Sequence, residues 1–519
     1  MSTAAKGKRA KPGPNQRRPQ APSPRAVPER GGLRPAVAAA TVFVAAGAVL
    51  MLEILAVRLL APYVGLTLET TTSIIGAVLA GIALGAAVGG WLADRHNPRR
   101  LLVATLVGGG LLALLTVPIV RALGPSARGH GNLAALGVTL ASLVPSAAVL
   151  SAVSPTVARL QLRDLGASGT IVGRLSAFAT AGALVGTFGT GFVIVPLMPV
   201  STAVLAIGLV LVVAGLALGA YLGVLTRRVG AAAAVAGALF AIISLSQASP
   251  CDVETGYHCA VIETADGVNG RELVLDGEHN SHIDLKNPKT LLYPYVRWIA
   301  HAIDTTAPSA TAPRDTVFVG GGAGTLPRWL EATRPTSRAA VLEVDRKLVD
   351  LDEERLDLRP TKLLRIHVGD ARLTMRDQPA RSADVVVGDA FSGLTIPWHL
   401  LTREWIGEVK RVLRPGGLYA LNIIDFKKEA LLKAELATLQ RQFRDVQVVA
   451  VAGEDGRPAG GNAVVLASDH ARAYAFDPQK YGAYIYNNAD VAVYAKGGRL
   501  LRDDFAPVDQ LLTLPPGVA

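Results

Sequence analysis

The sequence predicts a multispan α-helical membrane region followed by an α/β domain built to bind a nucleotide. Three observations predict it. Between Pro35 and Gln247 the chain breaks into apolar blocks of about 20 residues, the length that crosses a bilayer. From Tyr257 onward, short β-type runs alternate with helical ones. Within that part, VFVGGGAGTLPRWLEATRPTSRAAVLEVD, residues 317–345, reads as strand, glycine loop, helix and strand, ending on an acidic residue.

At 519 residues the chain is too long for one ordinary domain. Its formal net charge is +11, and the excess is unevenly spread. Residues 1–34 hold Lys6, Lys8, Arg9, Lys11, Arg17, Arg18, Arg25, Arg30 and Arg34 against Glu29 alone, with Pro and Gly between them. Such a segment cannot build a core and reads as a disordered basic tail. Its place before an apolar run favours an anionic membrane surface over nucleic acid. It is too long and too basic for a cleavable signal peptide.

Seven spans are expected, near 35–57, 70–93, 101–121, 133–154, 174–197, 200–222 and 229–247. A soluble helical bundle would need polar faces at helical spacing, and these blocks have almost none. Gly81, Gly85 and Gly89, and again Gly182 and Gly186, recur at four-residue spacing, which lets helix backbones pack closely in lipid. Glu53 is the acid inside the first block, and Arg58 is its expected partner, since a carboxylate in lipid needs one. The connector GGWLADRHNPRR, 89–100, resembles the short basic loop between the second and third helices of major-facilitator transporters, at Gly90, Asp94, Arg95, Arg99 and Arg100.

Charge predicts sidedness. The tail, the 94–100 loop, the 155–173 loop with Arg159 and Arg163, and the Arg227–Arg228 turn fall on one side, which the positive-inside rule assigns to the cytoplasm. Seven spans then carry everything after Gln247 to the other side. Cys251 and Cys259 lie just beyond the last span and are the two cysteines of the chain. They fit a small disulfide loop in an oxidising compartment. Free thiols remain an alternative. Metal binding is the weaker one, because only His258 stands near them and the site would be incomplete. One extra crossing, as a re-entrant pair hidden in the glycine-rich 168–199 region, would return the domain to the cytosol.

In the second half, CAVIETADGVNGRELVLDG, 259–277, reads as a hairpin around a turn rich in Asp, Gly and Asn. Helices are expected near 289–303, 325–333, 346–353, 399–413 and 427–442. Strands are expected near 314–319, 339–344, 363–368, 383–388, 417–424, 446–452 and 462–467. This alternation argues a mostly parallel sheet with helices on both faces and ligands beyond the carboxyl ends of its strands. Glu343, Asp370 and Asp389 sit at such ends. The organisation is therefore a tail over 1–34, a membrane region over 35–248 and an α/β domain over 249–519.

From about 254 to 512 the chain resembles the spermidine synthases, aminopropyltransferases with a Rossmann-like, methyltransferase-like fold behind an N-terminal β-hairpin. LVLDGEHN resembles their Asp-Gly-x-x-Gln strand, GGGAG their Gly-Gly-Gly-Asp-Gly loop, and VLEVD their Glu-Ile-Asp strand. GDAR resembles their Gly-Asp-Gly, VVVGDAF their catalytic Asp-Ser-Ser-Asp strand, and LRDDFAPVDQL a closing segment of membrane-fused relatives. The resemblance implies that Gly320, Gly321, Gly322 and Gly324 cradle a nucleoside, that Glu343 holds its ribose, and that Asp370 with Ala371 lies near the adenine amine. Asp389 is the implied proton acceptor, and Asn280 and Tyr293 line the substrate side.

The departures carry as much information. The family's Gln is Asn280, the His after the matching Tyr293 is Pro294, the acid of the glycine loop is Ala323, and the second acid of the catalytic strand is Ser392. An ammonium in a pocket needs carboxylates to offset its desolvation, so the loss of these acids weakens diamine binding. The resemblance implies a membrane-anchored aminopropyltransferase using decarboxylated S-adenosylmethionine as co-substrate, with a small amine acceptor. An S-adenosylmethionine-dependent methyltransferase and a non-catalytic membrane protein with an extracytoplasmic nucleotide fold are the alternatives. Membrane lipid is an expected partner and a homo-oligomer is possible on this reading. Neither a metal nor a nucleic acid is expected.

Overall fold

The structure is a computed structural model that describes residues 33–64, 68–127, 131–162, 168–265, 270–426, 429–453 and 458–513. The basic tail expected over 1–34 lies outside the described residues up to residue 32, as do Arg163 and the tip of the first hairpin turn.

The apolar blocks form helices α1 (Pro35–Val64), α2 (Leu68–Arg95), α3 (Pro98–Ala127), α4 (Gly131–Ser142), α5 (Val144–Ser151), α6 (Val153–Gln161) and α7 (Ser168–Gly189). A π-helical turn, Thr190–Ile194, joins α7 to α8 (Val195–Leu197); α9 (Val200–Tyr221) and α10 (Arg227–Ser246) follow. Pro35 and Pro98 open their helices, where a missing N–H is harmless. The Thr226 hydroxyl caps α10 by accepting from the Val229 N–H. Phe192, Val235 and Leu245 point outward from the bundle, as helices surrounded by lipid require. Among the described residues six helices are long and apolar enough to cross a membrane.

A seventh crossing depends on the pair Leu133–Ser142 and Val144–Gln161, bent by 49°. The break therefore lies here and not in the 168–199 region, where Ser168–Leu197 runs on as one candidate span. Pro145, in the first turn of α5, explains the bend, since it cannot donate to the preceding turn. At the end of α6, the Gln161 side chain donates to the carbonyl of Leu33, next to the start of α1, at 2.7 Å. Arg159 pairs with Asp94 at the end of α2, at 3.2 Å. The basic connectors thus gather at one end of the bundle.

The glycine stripes are where helices touch. A Cβ on Gly85 would sit 1.9 Å from the Ala148 carbonyl oxygen, and one on Gly182 would sit 2.1 Å from that of Phe43. The expected Glu53–Arg58 pair does not form. Five positions turn a helix by about 140°, so the two side chains leave on different faces. A buried Glu53 oxygen has no hydrogen-bond partner among the described residues, while Arg58 faces the α/β half.

That half packs on the opposite end of the bundle from the basic connectors. Arg121 near the end of α3 donates to the Gln247 carbonyl at 2.7 Å and lies 3.5 Å from Glu254. Ser201 at the start of α9 donates to Glu254 from both its backbone and its hydroxyl. Cys251 and Cys259 are joined in a disulfide.

An antiparallel four-stranded sheet comes first, in the order β1 (Val253–Glu254), β2 (Cys259–Thr264), β3 (Gly270–Leu275), β4 (Glu278–Asp284). The expected hairpin thus gains a third long strand through the Asp276–Gly277 turn, where both residues have positive φ. The polar run EHNSHID hides β4 from a hydrophobicity reading. The second sheet has eight strands, in the order β12-β10-β11-β9-β8-β5-β6-β7. They are β5 (Thr316–Val319), β6 (Ala339–Glu343), β7 (Leu364–Val368), β8 (Ala383–Gly388), β9 (Leu413–Asp425), β10 (Asp445–Ala452), β11 (Pro458–Ser468) and β12 (Tyr484–Tyr486). Strands β7-β6-β5-β8-β9 are parallel, and β11, β10 and β12 add antiparallel. Helices α11 (Pro294–Thr305), α12 (Thr325–Thr333), α13 (Arg346–Arg355), α14 (Ala371–Thr374), α15 (Arg403–Val412) and α16 (Ala430–Leu439) connect and cover them. The helix expected over 399–413 is broken, because Thr402 caps α15 by accepting from Trp405 N–H. The chain runs outward from β5 to β6 and β7 on one side and to β8 and β9 on the other, so the strand order reverses between β5 and β8.

Gly182→Val should disrupt the contact between α1 and α7, destabilising the bundle by roughly 1–3 kcal/mol as overpacking does. Thermal unfolding of the full chain in detergent, compared with Gly189→Val where a Cβ meets open space, checks this.

Candidate functional site

The glycine loop leaves β5 at this reversal. Gly320 has φ 96°, and a Cβ there would lie 2.3 Å from the backbone oxygen of Asp389. Only glycine allows both the conformation and the approach. The Gly321 N–H donates to Glu343 Oε2 at 2.7 Å, and the Asp345 N–H donates to Glu343 Oε1 at 2.8 Å. Each carboxylate oxygen keeps a second lone pair, so Glu343 can still accept from two ribose hydroxyls. Burial raises the Glu343 carboxyl above its ordinary range, against the pull of these two backbone donors. Asn280 and Ser281 of β4 lie over Gly322, which places the first sheet as a cover on the loop.

Asp370 follows β7 and caps α14, accepting from Arg372 N–H at 2.7 Å. Its other oxygen lies 3.3 Å from His399 Nε2. Ala371 beside it is buried. Arg372 braces this corner through the His399 carbonyl and the Thr402 hydroxyl and pairs with Asp503. The closing segment LRDDFAPVDQL therefore supports the Asp370 loop.

Asp389 follows β8. Asn422 of β9 donates to it at 2.9 Å, and Asn462 of β11 donates to the Asn422 carbonyl at 3.0 Å. Tyr295 also hydrogen-bonds Asp389. Burial pushes the Asp389 carboxyl up to about 6, held back by Asn422 and Tyr295. Tyr293 lines the same cavity as Asp389, a little away from the acid. Its hydroxyl bonds Glu272 of β3, and its ring stacks on that of Tyr295 at 6.2 Å, so Tyr295 is the tyrosine at the acid.

All ten residues singled out from the sequence except Gly324 line one cavity of about 970 Å³; Gly324, with φ 69°, shapes the loop at the start of α12. The lining also includes residues that sequence reasoning missed: Tyr295, Asn422, Asn462, Trp398, His399 and Arg58. Asn422 had a visible signal, an amide inside the apolar run YALNII. The others are joined to the site only by the fold. Chemically, the cavity offers a glycine loop with open backbone, a buried carboxylate pushed up to about 6, and a neighbourhood of amides and hydroxyls.

No family model matches the chain. It is 27% identical over 254 residues to the polyamine aminopropyltransferase of Vibrio vulnificus, covering 45% of this chain and 81% of that one. It is 27% identical over 347 residues to polyamine aminopropyltransferase 2 of Streptomyces coelicolor, covering 63% of this chain and 61% of the relative. Among solved structures, a probable spermidine synthase from Corynebacterium glutamicum is 28% identical, covers 50% of this chain and 96% of its own, and superposes with a TM-score of 0.44. The chain is thus similar to polyamine aminopropyltransferases over its α/β half and carries long apolar helices ahead of it.

Proposed function

We propose that this chain is a membrane-anchored aminopropyltransferase-like enzyme that takes a sulfonium nucleoside, decarboxylated S-adenosylmethionine or its close relative, and transfers an alkyl group to a nucleophile. One observation carries the reading: the glycine loop, Glu343 and Asp389 share a single cavity, with Asp389 at about 6. In the reaction the acceptor amine attacks the carbon beside the sulfonium. The new C–N bond forms as the C–S bond breaks, and methylthioadenosine leaves as a neutral thioether. The amine proton passes to Asp389. A carboxylate near pKa 6 is ionised at neutral pH yet more basic than an ordinary Asp. Placement against the reacting amine supplies much of the rest.

Glu343→Gln should weaken methylthioadenosine binding by roughly 1.5–3 kcal/mol, the range for hydrogen bonds to a charged group. Calorimetry on the full chain reads this, and failure of the unmutated protein to bind at millimolar ligand would remove the transferase reading.

Asp389→Asn should abolish turnover and spare nucleoside binding, because the amide keeps the size and cannot take the proton. In the unmutated enzyme the rate should rise with pH through about 6 as Asp389 ionises. Asn422→Ala removes a donor that stabilises the anion, so the midpoint should move upward. A pH–rate profile with a fixed midpoint in that variant contradicts the role given to Asn422.

A second reading concerns placement. The disulfide and the position of the α/β half, opposite the basic connectors, favour an extracytoplasmic domain. On that reading the nucleotide fold serves binding or assembly, since the sulfonium donor is made in the cytosol. Thiol labelling of intact cells should then find Cys251 and Cys259 unreactive until a reductant is added, and reactive afterwards without permeabilisation. Free thiols reached only after permeabilisation would place the domain inside and favour the transferase.

A further inference from the structure

The geometry points to Arg58 as an anion-binding residue of the cavity, so that the molecule held beside the nucleoside carries a phosphate or carboxylate rather than a second ammonium. The inference rests on the cavity being the substrate site, not on the identity of the donor. Arg58 belongs to α1 of the membrane bundle, yet it lines the same cavity as Gly320–Gly322, Glu343 and Asp389. Val57 and Leu68 line it from the bundle as well, so the cavity is closed by both halves of the chain.

Arg58 makes no hydrogen bond and no ion pair among the described residues. The acids whose charge reaches Arg58, Asp345 and Asp276, are bonded elsewhere, as is Glu343 in the same cavity. Asp276 is 2.7 Å from His258 Nδ1 and also accepts from Cys259 N–H. Burial draws the His258 imidazole down, but the bond to Asp276 and its charge outweigh that and hold it above its usual value. Asp345 accepts from the Thr255 hydroxyl and from the Lys347 and Leu348 N–H groups. Glu343 is held by two backbone donors. A half-buried guanidinium without a partner is costly, and a planar fork of donors suits an oxyanion.

The rest of the wall agrees. Of the two positions where an amine-binding acid was expected, Ser392 lines the cavity and Ala323 is buried outside its lining, and beside Asp389 stand Tyr295, Asn422 and Asn462. Asp389 is the carboxylate bonded by Asn422 and Tyr295, and Glu278, Glu343, Asp370 and Asp509 also line the cavity. A nucleophile on an anionic molecule satisfies Asp389 and Arg58 together. Two sources supply such chemistry: a soluble phosphate or carboxylate compound, and a lipid headgroup whose tail follows Val57 and Leu68 toward the bundle.

The test uses the full chain in a neutral detergent. Calorimetry is run with methylthioadenosine, glycerol phosphate, dihexanoyl phosphatidic acid and 1,4-diaminobutane. Glycerol phosphate should bind, Arg58→Gln should weaken it about tenfold or more, and Arg58→Lys should retain most of the affinity. Tighter binding of the dihexanoyl lipid identifies the membrane source, and equal binding the soluble one. Phosphate affinity unchanged in Arg58→Gln, or a wild-type chain that takes the diamine and no phosphate, overturns the inference. Loss of methylthioadenosine binding alone, with the Arg58-dependent phosphate site intact, removes the transferase reading and leaves the anion site in place.

Discussion

The site depends on one close approach between two backbones. Gly320 and Asp389 meet where the strand order reverses, with the Gly320 N–H bonded to Leu342 of β6 and the Asp389 N–H bonded to Val319 of β5. A side chain at 320 would strike the Asp389 carbonyl and drive the heads of β5 and β8 apart. The nucleoside loop and the candidate base are therefore not independent features that happen to be near each other. The same few ångströms of sheet position both, and the Gly321 bond to Glu343 extends that coupling to β6.

Burial then sets the chemistry. Desolvation raises Glu343 and Asp389 alike, but their partners differ. Backbone donors occupy Glu343, which fixes its direction and leaves lone pairs for hydroxyls. Asp389 is held by an amide relay from Asn462 through Asn422 and by Tyr295, each of which stabilises the anion without neutralising it. A carboxylate so placed is oriented and moderately basic. The two carboxylates thus differ by environment rather than by residue type, which is what the proposed division between ribose contact and proton acceptor requires.

Much of this was legible in the sequence because it is local. The glycine loop, the helix at 325–333 and the strand end at Glu343 lie within one strand–loop–helix–strand unit, where spacing determines which residues meet, and Asp389 ends a later apolar run of the same alternation. The disulfide was legible because its partners are eight residues apart. The failures are non-local or contradict periodicity. Tyr295 was out of reach, because only the fold shows that it bonds Asp389 while Tyr293 bonds Glu272. β4 reads as polar because its neighbours, not its composition, make it a strand. The Glu53–Arg58 pairing failed on helical phase, which the sequence does contain. Arg58 as a cavity residue was out of reach, since its setting depends on how two halves of the chain dock.

That docking changes what the α/β half is. Its β1 strand is tied to the bundle through Glu254, held by Arg121 and Ser201 from two helices, and the disulfide links the strand's approach to β2. Asp276, in the turn after β3, bonds the first residue of β2 and the neighbouring His258, next to Arg58. A shift of α1 relative to α3 and α9 would therefore move Arg58 against the first sheet, whose β4 covers the glycine loop. Cutting the chain at residue 249 removes Val57, Arg58 and Leu68 from the cavity while leaving Glu343 and Asp389 in place. The glycine loop, Glu343 and Asp389 belong to the α/β half alone. The cavity as a whole is lined by both halves, so its shape depends on how the helical bundle docks.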